Sequence, residues 1–230
     1  IVMKSKIFAL ILIVSLTAAS CGNRNQKASG EETAATAEAT EQTLTDSTAM
    51  NSSQTPDPAN LPEEPIYEIH TTEGTITIML YADTPLHRDN FAKLVSQHFY
   101  DSVLFHRVIY NFMIQTGDPL TKNPANEAAF GTGGPGYTIP AEFVPGHTHK
   151  KGAVAAARMG DTANPRKESS GSQFYIVHNA EICSHLDGEY TVFGETLDGF
   201  DVLDRIAAVR TDANDRPLKE VRIISITPVI

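Results

Sequence analysis

Apolar and polar positions alternate in part through Ile66-Tyr67-Glu68-Ile69-His70 and again through Thr75-Ile76-Thr77-Ile78-Met79-Leu80, and both runs are rich in β-branched residues. Thr71-Thr72-Glu73-Gly74 lies between them, which predicts strand, turn, strand. The period then changes. Thr84 places a capping hydroxyl before Pro85, and Phe91, Leu94, Val95 and His98 or Phe99 recur at helical spacing, so an amphipathic helix is expected over 85–98. Short strands are expected at about 103–108, 112–116, 152–157, 173–178 and 191–194, separated by Gly- and Pro-rich loops such as 131–136. Asp198 can cap a second helix near 199–208, with Phe200, Leu203, Ile206 and Ala207 on one face, and 221–226 closes as a strand. Many short strands with two helices point to a closed barrel or a sandwich.

The segment before this pattern has a different character. Lys4 and Lys6 precede an apolar run from Ile7 to Val14, and small residues lead to Cys21. This is the layout of a signal peptide over 1–20, and the run is shorter than the ~20 residues a spanning helix needs. Cys21 after small residues resembles a bacterial lipobox, with Ala18 where Leu is usual. That resemblance implies lipidation of Cys21, a lipid-anchored linker over 21–64, and a protein of the bacterial envelope facing the periplasm. Residues 22–64 hold no aromatic side chain and set eight acidic residues against Arg24 and Lys27. Such a composition cannot bury enough apolar surface to order itself; as a flexible spacer it would reach about 35–40 Å. The remaining residues, 65–230, suit one domain. A net charge of −10 with no basic stripe excludes a nucleic-acid binder. With Cys21 acylated, Cys183 is left as a single thiol.

Three dense blocks carry the chemistry. Phe105-His106-Arg107-Val108-Ile109-Tyr110-Asn111-Phe112-Met113-Ile114-Gln115-Thr116-Gly117-Asp118 sets one cation among large apolar side chains. Gly171-Ser172-Gln173-Phe174-Tyr175-Ile176 and Leu186-Asp187-Gly188-Glu189-Tyr190-Thr191-Val192-Phe193-Gly194 follow. In this order and spacing they closely resemble the cyclophilins, the cyclosporin-binding prolyl cis–trans isomerases, over about 165 residues from Pro65 onward. The resemblance selects the barrel: an all-β, closed eight-stranded antiparallel barrel with an α-helix over each open end. It implies an isomerase that turns X–Pro bonds in exported proteins, a monomer without cofactor or metal, and proline-containing peptide segments as partners.

The chemistry suits these residue types. An X–Pro amide rotates slowly because resonance stiffens its C–N bond. Rotation returns a lone pair to the prolyl nitrogen, so a catalyst needs a donor aimed there, an apolar pocket for the ring, and bonds to the flanking backbone. Arg stays charged and offers a fixed fork of N–H donors. By resemblance, Arg107 is the catalytic donor and Gln115 its polar neighbour; Phe112, Met113, Tyr175 and Leu186 wall the proline pocket. Gln173, Ala157, Arg158 and Tyr190 hold the flanking peptide. His185 stands where tight cyclosporin binders carry a rim Trp. Tyr175 replaces a Phe common in relatives, so its hydroxyl needs a partner or water. Arg158 replaces an Asn, Tyr110-Asn111 a Pro-Gly pair, and Thr116 a Gly.

Other features have plainer readings. His106 neighbours Arg107, but strand alternation points it to the opposite face, which makes it a hydrogen-bonded structural histidine. His147-Thr148-His149 has ligand spacing without a clear third ligand. Ser170-Gly171-Ser172 lacks the nucleophile-elbow form of a hydrolase. The rival to the enzyme is a proline-peptide-binding chaperone module with little turnover.

Overall fold

Strand β1 (Ile66–Thr71) sends Tyr67, Ile69 and Thr71 inward, and β2 (Gly74–Leu80) sends in Ile76, Ile78 and Leu80. The two pair antiparallel with Ile66 opposite Met79. The computed structural model describes residues 62–229; the expected signal peptide, Cys21 and nearly all of the linker lie outside the described residues. Further strands are β3 (Arg107–Ile109), β4 (Met113–Thr116), β5 (Thr138–Ile139), β6 (Ala153–Ala156), β7 (Ser169–Ser170), β8 (Phe174–Val177), β9 (Val192–Asp198) and β10 (Ile223–Val229). Eight of them form one antiparallel sheet in the order β10-β1-β2-β9-β6-β8-β4-β3, and β5 pairs with β7 as a separate ribbon.

The expected barrel is corrected here. The sheet curls, but its edge strands β3 and β10 do not pair along a ladder, so the barrel is not closed. Across the seam runs an isolated bridge between Leu104 and Arg222, with Phe105 N–H donating to the Val221 carbonyl at 2.9 Å. Residues 104–106 therefore approach the seam without joining β3, and the ladder with β4 starts at Arg107 opposite Gln115. The expected strand over 103–108 is thus shorter and later. Pro228 sits within β10, where a residue that cannot donate is tolerated because the strand is at an edge.

Three α-helices are present among the described residues, against the two expected: α1 (Pro85–Ser96), a single turn α2 (Ala180–Cys183) and α3 (Phe200–Ala207). Phe91, Leu94 and Val95 of α1 and Val202, Leu203 and Ile206 of α3 enter the main core with the inward residues of β1 and β2. Both helix starts differ from the sequence expectation. The Thr84 side chain makes no capping bond. Instead Glu142, far along the chain, accepts the N–H groups of Leu86 and His87 at 3.0 Å each and pairs with His87 Nδ1 at 2.6 Å. Gly199, not Asp198, is the N-cap of α3. Its φ is +86°, and a Cβ there would lie 2.4 Å from the Thr75 carbonyl oxygen, so only Gly fits the turn.

The Glu142 cap yields a pH-dependent prediction. Burial alone would raise this carboxyl, but the bonds from His87 and the two amides outweigh it and hold it below the usual carboxylate range. Its contribution is therefore present above the ordinary carboxylate pKa and lost as pH falls through the depressed folded value. Glu142→Gln should cost about 1 kcal/mol at neutral pH. Urea unfolding should show that difference shrinking in acid; a deficit independent of pH would show that the carboxylate is not the cap.

Strands β6 and β8 are buried on both faces, and this places the site. Val154, Ala156, Phe174 and Ile176 face the main core, while Ala153, Ala155, Tyr175 and Val177 join Met113 in a second apolar cluster on the other face. Phe112, Ala157, Leu186 and Tyr190 pack against that second cluster.

Candidate active site

Arg107 opens β3 on the sheet's edge. Strand alternation turns it outward, where 44% of its side chain is exposed, while Val108 is buried. Its nearest charge is Asp215, with Nε and Oδ2 3.7 Å apart, too long for a hydrogen bond and exposed on both sides. The guanidinium is thus available to another acceptor. Gln115 stands opposite Arg107 in the ladder, so the two share one face.

A polar chain fixes Gln115. Its Nε2 donates to Gln173 Oε1 at 3.1 Å, and Gln173 Nε2 donates to the carbonyls of Gly131 and Gly133 at 3.0 and 2.8 Å. Gln173 is buried, and its amide orientation is set by those two carbonyls. Gln115 keeps its Oε1 as an acceptor.

The apolar part lies alongside. Phe112, Met113, Tyr175, Leu186 and Tyr190 line a cleft of about 570 Å³ together with Arg107, Gln115, Ala157 and Arg158. The β3–β4 turn delivers Phe112. Asn111 adopts φ +59° there, a left-handed conformation that Asn tolerates better than most residues, which accounts for Tyr110-Asn111 serving where relatives carry Pro-Gly. The expected partner of the Tyr175 hydroxyl is His149, at 2.9 Å.

Ala157 and Arg158 divide their roles. The Ala157 N–H donates to the Gln173 carbonyl and its own carbonyl accepts from Ser170, both within the protein. Among the described residues nothing bonds the backbone N–H or carbonyl of Arg158, which leaves these as the open edge. Its side chain is only 4% exposed. It stacks 4.3 Å from the Tyr190 ring centroid and bonds the Glu189 carbonyl and Asp161. The Arg158 side chain thus anchors Tyr190 rather than pointing to solvent.

His185 follows the α2 turn, is exposed, and places Nδ1 2.8 Å from the Ile182 carbonyl; it is not among the residues lining the cleft. His106 is buried, but it precedes β3 and lines the same cleft as Arg107 instead of facing away, and neither ring nitrogen has a hydrogen-bond partner among the described residues, so the expected hydrogen-bonded histidine is corrected. Burial pushes its pKa down; Asp118, Leu104 and Gln173 oppose that shift without a bond of good geometry. The His147–His149 pair diverges: His147 bonds Asp83 at 2.7 Å and stacks on Tyr81, while His149 turns inward. No three metal-ligating side chains converge among the described residues. Cys183 is buried near the Phe112 carbonyl, and burial pushes its thiol up to about 11, which disfavours the reactive thiolate.

Two loops that sequence reading left without a role complete the cleft. Glu127, Ala128 and Phe130 come from a 3₁₀ turn after Asp118, and Asn214 and Arg216 from the loop between α3 and β10. Arg216 lies 4.8 Å over the Phe130 ring and pairs with Glu127, joining the loops. Asp118 is the one residue of the dense first block that holds this region, since its carboxylate accepts from Leu120 and Gly131.

Curled sheet, edge arginine and apolar cleft together define the cyclophilin fold. The family "Cyclophilin type peptidyl-prolyl cis-trans isomerase/CLD" matches residues 66–228. Peptidyl-prolyl cis-trans isomerase 10 of Caenorhabditis elegans is 38% identical over 161 residues, 69% of this chain and 92% of that protein. The crystal structure of a cyclophilin type isomerase from Cryptosporidium parvum aligns with TM-score 0.64 and 27% identity, covering 73% of this chain and 98% of that one. A second structure of that protein, in the presence of the dipeptide Ala-Pro, aligns with TM-score 0.62 and 28% identity, covering 70% and 97%. The chain belongs to the cyclophilin-type peptidyl-prolyl cis–trans isomerases and is an enzyme of class EC 5.2.1.8.

Proposed function

We propose that this isomerase acts on exported proteins from a membrane anchor at Cys21, and that Arg107 is the group that lowers the rotational barrier. The observation that carries the mechanism is the exposed Arg107 guanidinium, held only loosely by Asp215 at the lip of an apolar cleft. A proline ring seated against Phe112, Met113 and Leu186 brings its nitrogen toward that fork. As the amide twists, the nitrogen gains a lone pair, and an N–H of Arg107 donates to it. The planar ground state offers no such acceptor, so the bond favours the transition state selectively. Gln115 and the Arg158 backbone hold the peptide on either side, the latter as a short strand-like pairing. The Cryptosporidium protein crystallised in the presence of Ala-Pro supports a proline peptide as ligand. A catalysed isomerisation assay on wild type, Arg107→Ala and Arg107→Lys tests the mechanism. Lys should also be poor, since a point charge does not copy the fork.

Export and anchoring rest on the sequence from Lys4 to Cys21 and on the polar spacer after it. In this reading attachment comes from the lipid on Cys21; among the described residues no helix is long and apolar enough to cross a membrane. Cys21→Ala should move the protein from the membrane to the soluble fraction without changing kcat/KM. Retention in the membrane fraction would sink the lipid anchor.

A further inference from the structure

Beneath the cleft two buried side chains, Tyr175 and His149, and the exposed carboxylate of Asp187 form a polar chain that bond rotation does not use. The Tyr175 ring belongs to the apolar cluster with Met113, and its hydroxyl meets Nε2 of His149 at 2.9 Å. Nδ1 of His149 stands 2.7 Å from Oδ1 of Asp187, which also accepts the His149 backbone N–H at 2.8 Å. The His149 side chain has no exposed surface, and its ring lies nearly parallel to Tyr175, at 14°. Asp187 directly follows Leu186, which lines the cleft. One imidazole therefore ties the floor of the cleft, on β8, to its wall, on the turn that ends at Leu186.

The two contacts fix where protons sit. An ionised carboxylate only accepts, so Nδ1 carries a hydrogen. In the neutral ring Nε2 is then the acceptor and Tyr175 the donor. The Tyr175 hydroxyl has no other partner among the described residues. Protonating the ring reverses this last bond: Nε2 donates, and the Tyr175 hydrogen is left buried without an acceptor, which costs free energy.

We propose, resting on the reading that this cleft receives the proline, that His149 is a positioning residue of the isomerase. With Asp187 it fixes Tyr175 against Leu186, and the protonation state of this chain sets affinity for the proline peptide rather than the rate of rotation in the bound complex. Asp187 and Tyr175 face the ring directly. His185 adds repulsion against a charged ring, and Arg158, Tyr190 and Cys183 act on it through Tyr175 or Asp187. Burial holds the His149 pKa below the usual imidazole value, with Asp187 opposing. The ordered floor is therefore complete above the usual imidazole range and is lost as pH falls through the depressed value.

The test measures kcat and KM for a chromogenic Ala-Ala-Pro-Phe peptide from about pH 8 down to about pH 5 on the full chain. In wild type, KM should rise about threefold or more toward acid while kcat changes less than about twofold. The double substitution His149→Leu with Tyr175→Phe removes both polar ends together and keeps the apolar faces; its KM should be flat across the range. His185→Gln should keep the wild-type rise. A flat wild-type KM, an equal rise in the double variant, or loss of the rise in His185→Gln would each overturn the role of His149. If the double variant does not fold, ring-nitrogen chemical shifts of His149 in wild type decide: they should move when an Ala-Pro dipeptide is added, and unmoved shifts refute the proposal. Arg107→Ala keeps the two readings apart, because retained turnover in that variant would refute the Arg107 mechanism while leaving the KM profile to judge His149 alone.

Discussion

Arg107→Ala is expected to lower kcat/KM by about 10²–10³-fold, or roughly 3–4 kcal/mol of transition-state stabilisation. The structure gives reason to expect a loss confined to catalysis. Arg107 is on an edge strand, its side chain is 44% exposed, and its closest charge is 3.7 Å away. An exposed pair of that kind contributes about 0–1 kcal/mol to folding. The variant should therefore unfold in urea nearly as wild type does. Rotation should be slow at every substrate concentration, with peptide binding through Gln115 and the apolar cleft largely retained. The isomerisation assay and the unfolding curve must be read together. Near-normal turnover in a folded variant would overturn the mechanism and favour a binding module that uses the same groove. A large stability loss would show that Arg107 holds the seam rather than the substrate.

The second large effect concerns Phe91. Phe91→Ala should destabilise the protein by about 3–5 kcal/mol. The ring is 2% exposed at the centre of an aromatic group. Its centroid lies 5.2 Å from Tyr100, 5.4 Å from Tyr67 and 5.6 Å from Phe174, the Tyr67 and Phe174 contacts edge-on. Edge-on and tilted contacts add to the burial itself. Phe91 joins α1 to strands at both sides of the sheet, β1 and β8, so the cavity left by Ala cannot close by a shift of one neighbour. Against a total stability of about 5–15 kcal/mol, the variant should unfold at much lower urea. Chemical denaturation measures this directly. A loss below about 1 kcal/mol would mean that α1 repacks freely over the sheet.

Local pattern was enough for some of this. The β1–β2 hairpin, α1 and α3 depend on periodicities within a dozen residues, and they stand close to where the sequence places them. The grouping of residues in the first dense block was readable for a related reason. Arg107, Phe112, Met113 and Gln115 occupy a single hairpin, so one alternating ladder brings them together. What escaped sequence reading depends on distant partners. The start of β3 is decided by its ladder with Gln115, not by the apolar run before it. The helix cap comes from Glu142, which displaces Thr84, the residue a local rule selects. The strand expected over 221–226 runs on through Pro228 to Val229, because β10 is an edge and pairs with distant β1. Phe130 and Arg216 meet across the cleft from loops that carry no periodicity. His147 and His149 have the spacing of ligands, yet adjacent loop geometry turns one toward Asp83 and the other toward Tyr175. The closed barrel was an inference from resemblance, and the seam between β3 and β10 was not encoded in any local signal.

The pairing of β1 with β10 bears on how this protein is made. Ile66 lies opposite Val229, and β1 is flanked by β2 on one side and β10 on the other. The β1–β2 hairpin can form early, but its outer edge has no partner until the chain has been synthesised through Val229. Until then β1 offers free N–H and C=O groups, the kind of edge that pairs with other chains. Contacts of such sequence separation also slow folding, because the loop must close before any bond rewards it. The order of synthesis therefore makes this sheet a late-folding one, completed only by its last strand.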